Sequence, residues 1–255
     1  MPNAWDAGSA RVLTALGFEA LATTSSGHAA TLGRLDGSVS RDEALQHASE
    51  LAGATDTPVS ADLENGYAHG PEGVAETVTL AREAGLAGCS IEDFTGDADH
   101  PIYDLDAAVA RIDAAVGAAH AGPVRLVLTA RAENHIHGRD DLDDTIARLQ
   151  AYQESGADVL YAPGLKGADQ ISRVMAALAR PVNVLTRPGL PPVAELAELG
   201  VSRISVGGAF AFAALGTLVE AGRELREQGT YGFLEQSRLG AGFASEALER
   251  RPRSG

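Results

Sequence analysis

The stretch that decides the fold is P-V-S-A-D-L-E-N-G-Y, residues 58–67, in which a short β-leaning run ends in acidic residues and a turn. Runs of this kind, bounded by Gly, Pro and Asn, are typical of β-strands. In parallel α/β folds, catalytic groups lie at the carboxyl ends of the strands. The stretch therefore predicts a β-strand whose end carries acidic side chains suited to binding or catalysis.

Similar runs occur on both sides of this one, separated by Ala-rich segments of helical period. This alternation is typical of repeated βα units on a parallel sheet. An eighth strand is predicted at residues 1–5, because the segment after it is helical and ends at Gly17. We expect one (β/α)₈ TIM-type barrel domain over residues 1–255, with a doubly wound open sheet as the alternative. The other seven runs begin at Glu19, Pro58, Gly88, Val124, Asp158, Pro181 and Ser202.

Helices are predicted between the strands, and several begin at Ser, Asp or Pro and end at Gly. Two more helical runs follow Gly208, at residues 210–227 and 231–248. The last run has large apolar residues without an obvious partner, so it packs either on another subunit or on its own barrel. We expect residues 209–255 to take part in subunit packing. The helices between strands are predicted at residues 6–16, 41–52, 71–84, 105–119, 141–155, 169–179 and 192–199.

The charge of the chain argues against nucleic acid as a partner. Lys and Arg total 20 against 35 Asp and Glu, a formal net charge of -15. Such a chain repels phosphate backbones and anionic membranes unless it has a basic patch. The basic residues cluster only at Arg250, Arg251 and Arg253, so we expect neither nucleic acid nor membrane as a partner.

One cysteine, Cys89, excludes an internal disulfide framework and any multi-cysteine metal site. This usage fits a reducing compartment, and we expect a cytoplasmic protein. An acidic protein that handles acidic substrates needs local positive charge, from arginines or from a bound metal cation. That requirement directs attention to the strand ends.

Carboxylates are concentrated at the ends of two neighbouring predicted strands. Asp62 and Glu64 are two residues apart and therefore share a side of their strand, and Glu92 and Asp93 end the next strand. Carboxylates crowded in this way repel each other unless a hard cation lies among them. We expect Mg²⁺, with Mn²⁺ as a substitute, while solvated loop acids are the alternative.

Two further strand ends carry groups suited to an anionic substrate. The segment Thr24 to His28 is predicted to be a small-residue turn whose exposed amides could hold a carboxylate. Arg131 lies near the end of the run that begins at Val124, the fifth when residues 1–5 are counted first. It can pair with a substrate carboxylate, although Glu133 could instead hold it in a structural ion pair. Asn183, on the seventh run, is a further candidate for substrate binding.

These motifs together resemble the isocitrate lyase/phosphoenolpyruvate mutase superfamily, in its phosphoenolpyruvate mutase-like branch. The resemblance runs from Pro2 to about Phe212 and rests on P-N-A-W-D-A-G-S-A-R-V-L, T-T-S-S-G, D-L-E-N-G-Y, S-I-E-D and A-R-A-E. It implies a (β/α)₈ barrel, often a tetramer built of dimers that exchange their last helices. It also implies Mg²⁺ and an enolate mechanism that makes or breaks C–C or P–C bonds.

The resemblance also implies roles for individual residues. Asp62, Glu64 and Glu92 would surround the metal, partly through water, with Asp36 as an outer carboxylate. The acid group of the substrate would be held by Ser26, Gly27 and Arg131. His28 and Asn183 are further candidates for substrate binding that the resemblance does not itself imply. The group that transfers the proton is left open, with Tyr103, His100, Asp99, His28 and Glu133 as candidates. A residue of the loop after Glu92 is favoured, because loop closure excludes water.

The chain departs from the best-known members of the superfamily. It lacks the K-K-C-G-H loop of isocitrate and methylisocitrate lyases, and Cys89 is expected to be a small buried hydrophobe and not a nucleophile. The loop after Glu92 reads D-F-T-G-D-A-D-H-P-I-Y-D, without the lysines of phosphonopyruvate-type enzymes. A-P-G around Pro163 replaces a polar residue of the family.

The leading hypothesis is a Mg²⁺-dependent lyase that cleaves a C–C bond in a small 2-hydroxy or 2-oxo mono- or dicarboxylic acid through a metal-stabilised enolate. The alternatives are a mutase or hydrolase that acts on the P–C bond of a phosphonate, and a non-catalytic protein that binds 2-oxo acids. The expected partners are a small carboxylic acid and further copies of the chain, in a homodimer or homotetramer.

Overall fold

A computed structural model of the protein describes residues 1–249, so Arg250, Arg251 and Arg253 lie outside the described residues. The sheet has eight strands in the order of the sequence, and each pairs in parallel with the next. Helices alternate with the strands, and the predicted (β/α)₈ barrel is confirmed. The strands are β1 Asn3–Ala4, β2 Leu21–Thr23, β3 Val59–Asp62, β4 Gly88–Glu92, β5 Val127–Arg131, β6 Val159–Tyr161, β7 Val182–Leu185 and β8 Arg203–Ser205.

One side chain on the first strand connects the two ends of the sheet. The Asn3 Oδ1 atom accepts hydrogen bonds from the backbone N–H groups of Val206 (3.0 Å) and Gly207 (2.9 Å). Its Nδ2 atom donates to the Thr23 carbonyl oxygen at 2.7 Å. Asn3 is buried, so these bonds are shielded from water. A single asparagine thus links the segment after β8 to β1 and β2 and brings the barrel close to closure.

Most helices lie where the sequence predicts them. Gly85 and Gly156 follow α4 and α6 with φ angles of 80° and 98°, in the left-handed region that favours glycine at helix ends. A short π-helical turn, Glu224–Gln228, follows α9. The α-helices are α1 Ala7–Ala15, α2 Ser25–Thr31, α3 Arg41–Ala54, α4 Pro71–Glu83, α5 Leu105–Ala119, α6 Leu142–Glu154, α7 Gly167–Ala177, α8 Val193–Glu198, α9 Ala209–Arg223 and α10 Leu234–Glu249.

Helix α2 is the main difference from the predicted elements. The segment from Thr24 to His28 was expected to be a turn, but Ser25 begins a helix capped by Thr24, whose Oγ1 accepts from the Gly27 N–H at 3.3 Å. Gly27 is buried, and a Cβ atom there would lie 2.6 Å from the Thr24 side chain. Close packing therefore explains this glycine, and its amide is already occupied.

The apolar core lies between the strands and the surrounding helices. It includes Leu21, Ile91, Leu128 and Leu160 from the strands, all fully buried. Cys89 lies in the same layer, and burial raises the pKa of its thiol to about 12. Cys89 is therefore a small buried hydrophobe, as expected. No helix within residues 1–249 combines the length and apolar character needed to cross a membrane.

The last two long helices differ in their contact with the barrel. Residues 212–220 of α9 are all exposed, although they include Phe212, Leu215 and Leu218. Helix α10 returns to the barrel at its end, where Ala247 is buried and Arg11 of α1 donates to the Leu248 carbonyl oxygen at 2.8 Å. The end of α10 thus caps its own barrel, while α9 leaves an apolar surface exposed.

Candidate functional site

A row of laterally paired residues crosses five strands, from the last residues of β4, β5 and β6 to the second residue of β7 and the first residue of β8. Glu92 pairs with Arg131, Arg131 with Tyr161, Tyr161 with Asn183, and Asn183 with Arg203. Laterally paired residues of a parallel sheet point to the same face, because side chains alternate with a period of two. The register therefore points five polar side chains into the barrel interior.

Arg131, in this row, is surrounded by acidic side chains. Its Nη1 lies 2.7 Å from Asp62 Oδ1, its Nη2 2.9 Å from Glu92 Oε2, and its Nε 2.8 Å from Glu133 Oε1. Burial lowers the pKa of Arg131, but the three carboxylates outweigh burial and raise the pKa well above its ordinary value. Every nitrogen of this guanidinium therefore has a carboxylate partner, including the predicted structural partner Glu133.

Asp62, the last residue of β3, is fixed by groups from three other elements. The Ser25 N–H donates to its Oδ2 at 3.3 Å, and the Ser90 hydroxyl donates to its Oδ1 at 3.4 Å. The Asp62 N–H in turn donates to Thr23 Oγ1 at 2.8 Å. The carboxylate is thus held at the strand end by neutral donors in addition to Arg131.

Glu64 lies just beyond β3 in a strained backbone segment. Glu64 and Tyr67 have φ angles of 46° and 55° and are the two non-glycine residues with positive φ within residues 1–249. The Tyr67 hydroxyl donates to Glu64 Oε1 at 3.2 Å. Burial, then Asp62 and Asp36, raise the pKa of Glu64 to about 7. Strain of this kind persists only where the surrounding structure enforces it, and it is common at functional sites.

Arg111 of α5 supports the segment that holds Glu64. Its guanidinium donates to the carbonyl oxygens of Ala68 and His69, both at 2.6 Å, and also to that of Asn65. Arg111 is almost fully buried and stacks over the Tyr103 ring, with its Cζ 4.3 Å from the ring centroid. The sequence gives no signal for this role, because Arg111 occurs in an ordinary amphipathic helix pattern.

The two acids at the end of β4, Glu92 and Asp93, point to opposite faces of the sheet. Burial raises the pKa of Glu92 well above its usual range, although Arg131 opposes the shift. Asp93 points away from Glu92 and accepts from the Tyr152 hydroxyl (2.6 Å), from Arg148 (3.2 Å) and from the Glu133 N–H (2.8 Å). Asp93 therefore joins the strand to α6 and is not among the acids around Arg131.

The donors around Arg131 fit a hard divalent cation that retains water. Within residues 1–249, no three His, Cys, Asp or Glu side chains converge as a ready-made metal cluster, since Arg131 lies between Asp62 and Glu92. Mg²⁺, however, needs only one or two direct carboxylates and keeps several waters. All of the donor atoms are oxygens. Burial, followed by the negative charges of Asp62 and Asp36, raises the pKa of Glu64 to about 7. Asp36 is an exposed loop residue that lines the same cavity as Asp62.

Three residues at the start of α2 are candidates for binding the acid group of the substrate, and they lie in different surroundings. Ser26 lines the cavity, with its Oγ 3.2 Å from Thr24 Oγ1. Gly27 is buried behind Thr24 and does not line the cavity. His28 stacks on His47 with ring centroids 3.7 Å apart, and its buried Nδ1 has no hydrogen-bond partner. Of the three, Ser26 lines the cavity that contains Asp62 and Arg131, while His28 lines a smaller cavity with Asp62 and Glu64.

The proton-transfer candidates in the loop after β4 are not brought to the cavity. His100 is exposed and lies 3.5 Å from Asp97, and Asp99 is exposed beside it. The Tyr103 hydroxyl lies 3.3 Å from His69 Nδ1, and its ring packs under Arg111. None of these three side chains lines the cavity that holds Asp62 and Arg131.

That cavity has a volume of about 210 Å³ and opens at the strand ends. Drug-sized ligands occupy pockets of about 300–1,000 Å³, so the volume suits a smaller molecule. Asn183, buried beneath it, donates from Nδ2 to Ser205 Oγ at 2.9 Å and accepts from Arg203 Nε at 2.9 Å. The chief polar lining residues are Ser26, Asp36, Asp62, Ser90, Thr129, Arg131, Tyr161, Asn183, Arg203 and Ser205.

A comparison with protein families shows which family the chain belongs to. The family model of phosphoenolpyruvate phosphomutase matches residues 1–226, most of the chain. The chain belongs to this family. The resemblance in the motifs around Asp62, Glu92 and Arg131 is therefore confirmed, and the protein is an enzyme of the isocitrate lyase/phosphoenolpyruvate mutase superfamily.

Several members of the superfamily are similar over nearly their whole length. A crystal structure of a candidate lyase/mutase from Burkholderia cenocepacia is 56% identical with a TM-score of 0.90, covering 92% of this chain and 85% of that one. The crystal structure of 2,3-dimethylmalate lyase is 30% identical with a TM-score of 0.81, covering 91% and 83%. Oxaloacetate decarboxylase of Chromohalobacter salexigens is 29% identical in an alignment 246 positions long that covers 88% of this chain and 79% of that one.

Proposed function

We propose that the protein is a Mg²⁺-dependent lyase that cleaves a C–C bond in a small 2-hydroxy or 2-oxo carboxylic acid. The observation that carries the proposal is the set of buried carboxylates Asp62, Glu64 and Glu92 around Arg131 at the ends of β3 to β5. Two similar proteins, 2,3-dimethylmalate lyase and oxaloacetate decarboxylase, are named for reactions that break C–C bonds. Their names support C–C chemistry over P–C chemistry.

Asp62, Glu64 and Glu92 would hold the metal, with water completing the ligand set and Asp36 beside it. When bound, Mg²⁺ would supply positive charge that polarises the acid and offsets the negative charge that develops as the C–C bond breaks. Arg131 keeps Asp62 and Glu92 in place through its ion pairs and offers its remaining N–H groups to the substrate. Ser26 orients the acid from the opposite wall of the cavity.

The alternative of phosphonate chemistry has less support from the residues. Lys166 is the only lysine in the sequence. Its Nζ is ion-paired with Asp140 Oδ2 at 2.5 Å, and it does not line the cavity. Transfer of a phosphoryl group relies on cations beside the transferred oxygens, and no lysine serves that purpose here.

The proposal is tested by turnover of oxaloacetate and a panel of 2-oxo and 2-hydroxy acids with Mg²⁺, followed by product analysis. We expect cleavage that stops with EDTA and returns with Mg²⁺ or Mn²⁺. Asp62→Asn removes a metal ligand, whereas Asp169→Asn on the exposed start of α7 is a matched control with full activity. Phosphorus NMR with phosphonopyruvate tests the alternative, and metal-dependent binding without turnover would instead indicate a non-catalytic protein.

We also propose that α9 is exchanged between two copies of the chain. Phe212 and Leu218 are 50% and 66% exposed, and an apolar groove of about 770 Å³ lies beside β8, lined in part by Phe18, Val201 and Phe210. Contiguous apolar surfaces that are exposed in this way commonly mark interfaces between protein chains. Light scattering on the wild type and on Leu218→Asp tests this: we expect a dimer or tetramer for the wild type and smaller species for the variant. A monomeric wild type would refute the exchange.

A further inference from the structure

Arg203 is a second arginine of the barrel interior, and the hydrogen-bond partners of its guanidinium are neutral; the Met1 ammonium nearby is also positively charged. Its Nε donates to Asn183 Oδ1 at 2.9 Å, and its Nη2 donates to Thr129 Oγ1 at 2.8 Å. Within residues 1–249, no carboxylate lies within ion-pair distance of it, in contrast to the three around Arg131. Burial lowers the pKa of Arg203 to about 10, with a small opposing effect of Tyr161. Arg203 is therefore a largely buried cation without a counter-ion.

A buried charge without a partner is unfavourable, and proteins normally pair it or bind an ion to it. A guanidinium has five N–H donors, of which Arg203 uses two in the contacts above. Its Nη1 makes no protein hydrogen bond and is not sealed from solvent. Arg203 also lines the 210 Å³ cavity that contains Asp62 and Arg131. The free donors are thus available to a molecule in that cavity.

The charges of the cavity are divided between its two sides. The strands β3 to β5 contribute the acids, and Arg131 is neutralised by them. The strands β7 and β8 contribute Arg203 with neutral Asn183 and Ser205. A ligand with one carboxylate at the metal side and a second anionic group at the other end complements both sides.

We propose that Arg203, held by Asn183 and Thr129, binds the second carboxylate of a dicarboxylic substrate. The inference rests on the proposed function and narrows its substrate class from mono- or dicarboxylic acids to dicarboxylic acids. The fork of the guanidinium suits a carboxylate, which accepts two parallel hydrogen bonds. Arg203 is then a determinant of specificity that leaves the bond-breaking step to the groups around Arg131.

The test uses two acids of equal chain length, malate and 2-hydroxybutyrate, which differ in the second carboxylate. Binding of each to the full chain is measured by calorimetry with saturating Mg²⁺. We expect the wild type to bind malate more tightly, by roughly 10- to 100-fold, as a charge-assisted hydrogen-bonded pair gives. Arg203→Met should lose most of that preference while its affinity for 2-hydroxybutyrate stays within about threefold.

Two further variants complete the test. Arg203→Lys keeps the charge but loses the fork, so we expect an intermediate preference. Arg173→Met removes an exposed arginine of α7 that pairs with Asp143, and it should bind both acids as the wild type does. Thermal unfolding of each variant shows that it is folded, and the wild-type preference tests the inference even if Arg203→Met does not fold.

The outcomes separate this inference from the proposed function. A wild type that binds both acids with equal affinity, or an Arg203→Met variant that keeps the malate preference, would overturn the role of Arg203 and leave the lyase proposal intact. A wild type that binds neither acid in the presence of Mg²⁺ would refute the proposed metal and acid site itself.

Discussion

Arg131 and Arg203 point into the same barrel from strands β5 and β8, yet their surroundings are opposite. Arg131 contacts Asp62, Glu92 and Glu133 at 2.7 to 2.9 Å. Within residues 1–249, the side-chain hydrogen-bond partners of Arg203 are the neutral groups of Asn183 and Thr129. The same residue type therefore serves two purposes: one arginine organises acids, and the other has donors free for a ligand.

The difference changes the interpretation of Arg131. The sequence predicts it as a clamp for the substrate's acid group, and that role stays a prediction. The structure shows that each of its nitrogens already has a carboxylate partner. Under the two proposals above, the positive charge available to a substrate would come mainly from the metal and from Arg203.

The strongest test of this contrast removes each arginine in turn. Arg131→Met leaves three buried carboxylates without a cation, so we expect a loss of roughly 3–5 kcal/mol in the free energy of unfolding and loss of activity. Arg203→Met removes an unpaired cation, and we expect a change of less than about 2 kcal/mol. Urea unfolding measures both values, and equal losses would break the distinction.

Acid should destabilise the acidic side of the cavity through the histidines behind it. His28 and His47 lie against Asp62 and Glu64, and burial, followed by the charge of His28, lowers the pKa of His47 to about 4. An unfolded histidine takes up a proton near pH 6.5. The contribution of neutral His47 is therefore present above pH 6.5 and is lost as the pH falls towards 4, by roughly 3 kcal/mol.

Chemical unfolding across this pH range checks the effect, with His47→Gln as the comparison. The variant keeps a donor for the Trp5 carbonyl oxygen, which His47 Nε2 contacts at 2.9 Å. We expect a shallower dependence of stability on pH for His47→Gln. An unchanged slope would show that other groups cause the loss.

The side of the cavity around Arg203 should depend more on closure of the barrel. Asn3→Ala leaves the N–H groups of Val206 and Gly207 without their acceptor, at a cost of about 2 kcal/mol in stability. Amide hydrogen exchange should become faster at Val206 and Gly207 and stay unchanged at Glu92. Uniformly faster exchange would mean that the two sides unfold as one unit.

The smallest expected effect concerns Glu64. Tyr67→Phe removes the hydroxyl that donates to Glu64 at 3.2 Å, so stability should fall by about 1 kcal/mol. Because this hydrogen bond opposes the upward shift, the pKa of Glu64 should rise further above about 7 in the metal-free variant. Carbon NMR of the carboxyl groups measures the change, and an unmoved pKa would contradict the assigned contact.

The sequence predicts the fold and the acidic side of the site well, for a physical reason. Strand ends are local features, so Asp62, Glu92 and Arg131 are recognisable from the runs that precede them. Their meeting follows from the parallel order of β3, β4 and β5. The alternation of eight predicted strands with helices favours the (β/α)₈ barrel, and the structure decides it against the doubly wound alternative.

Features that depend on register or packing were not accessible. Arg203 begins the apolar run R-I-S-V, and only the pairing with Asn183 shows that it faces the cavity. The helix at Ser25 has a composition typical of a turn and is stabilised by the Thr24 cap. Tyr103 and His100 lie on a loop whose path depends on contacts such as the stack of Phe94 on His137, with ring centroids 3.9 Å apart.

The asparagine that brings the barrel close to closure has a consequence for how the protein folds. Asn3 joins residues more than 200 positions away, and Arg203 bonds to a threonine 74 positions away. Contacts this distant in sequence form slowly, because chain entropy is lost before they are made. During synthesis, the strands with Asp62, Glu92 and Arg131 emerge long before β8. A nascent chain would therefore assemble its acidic groups early and complete its cavity only when its two ends meet.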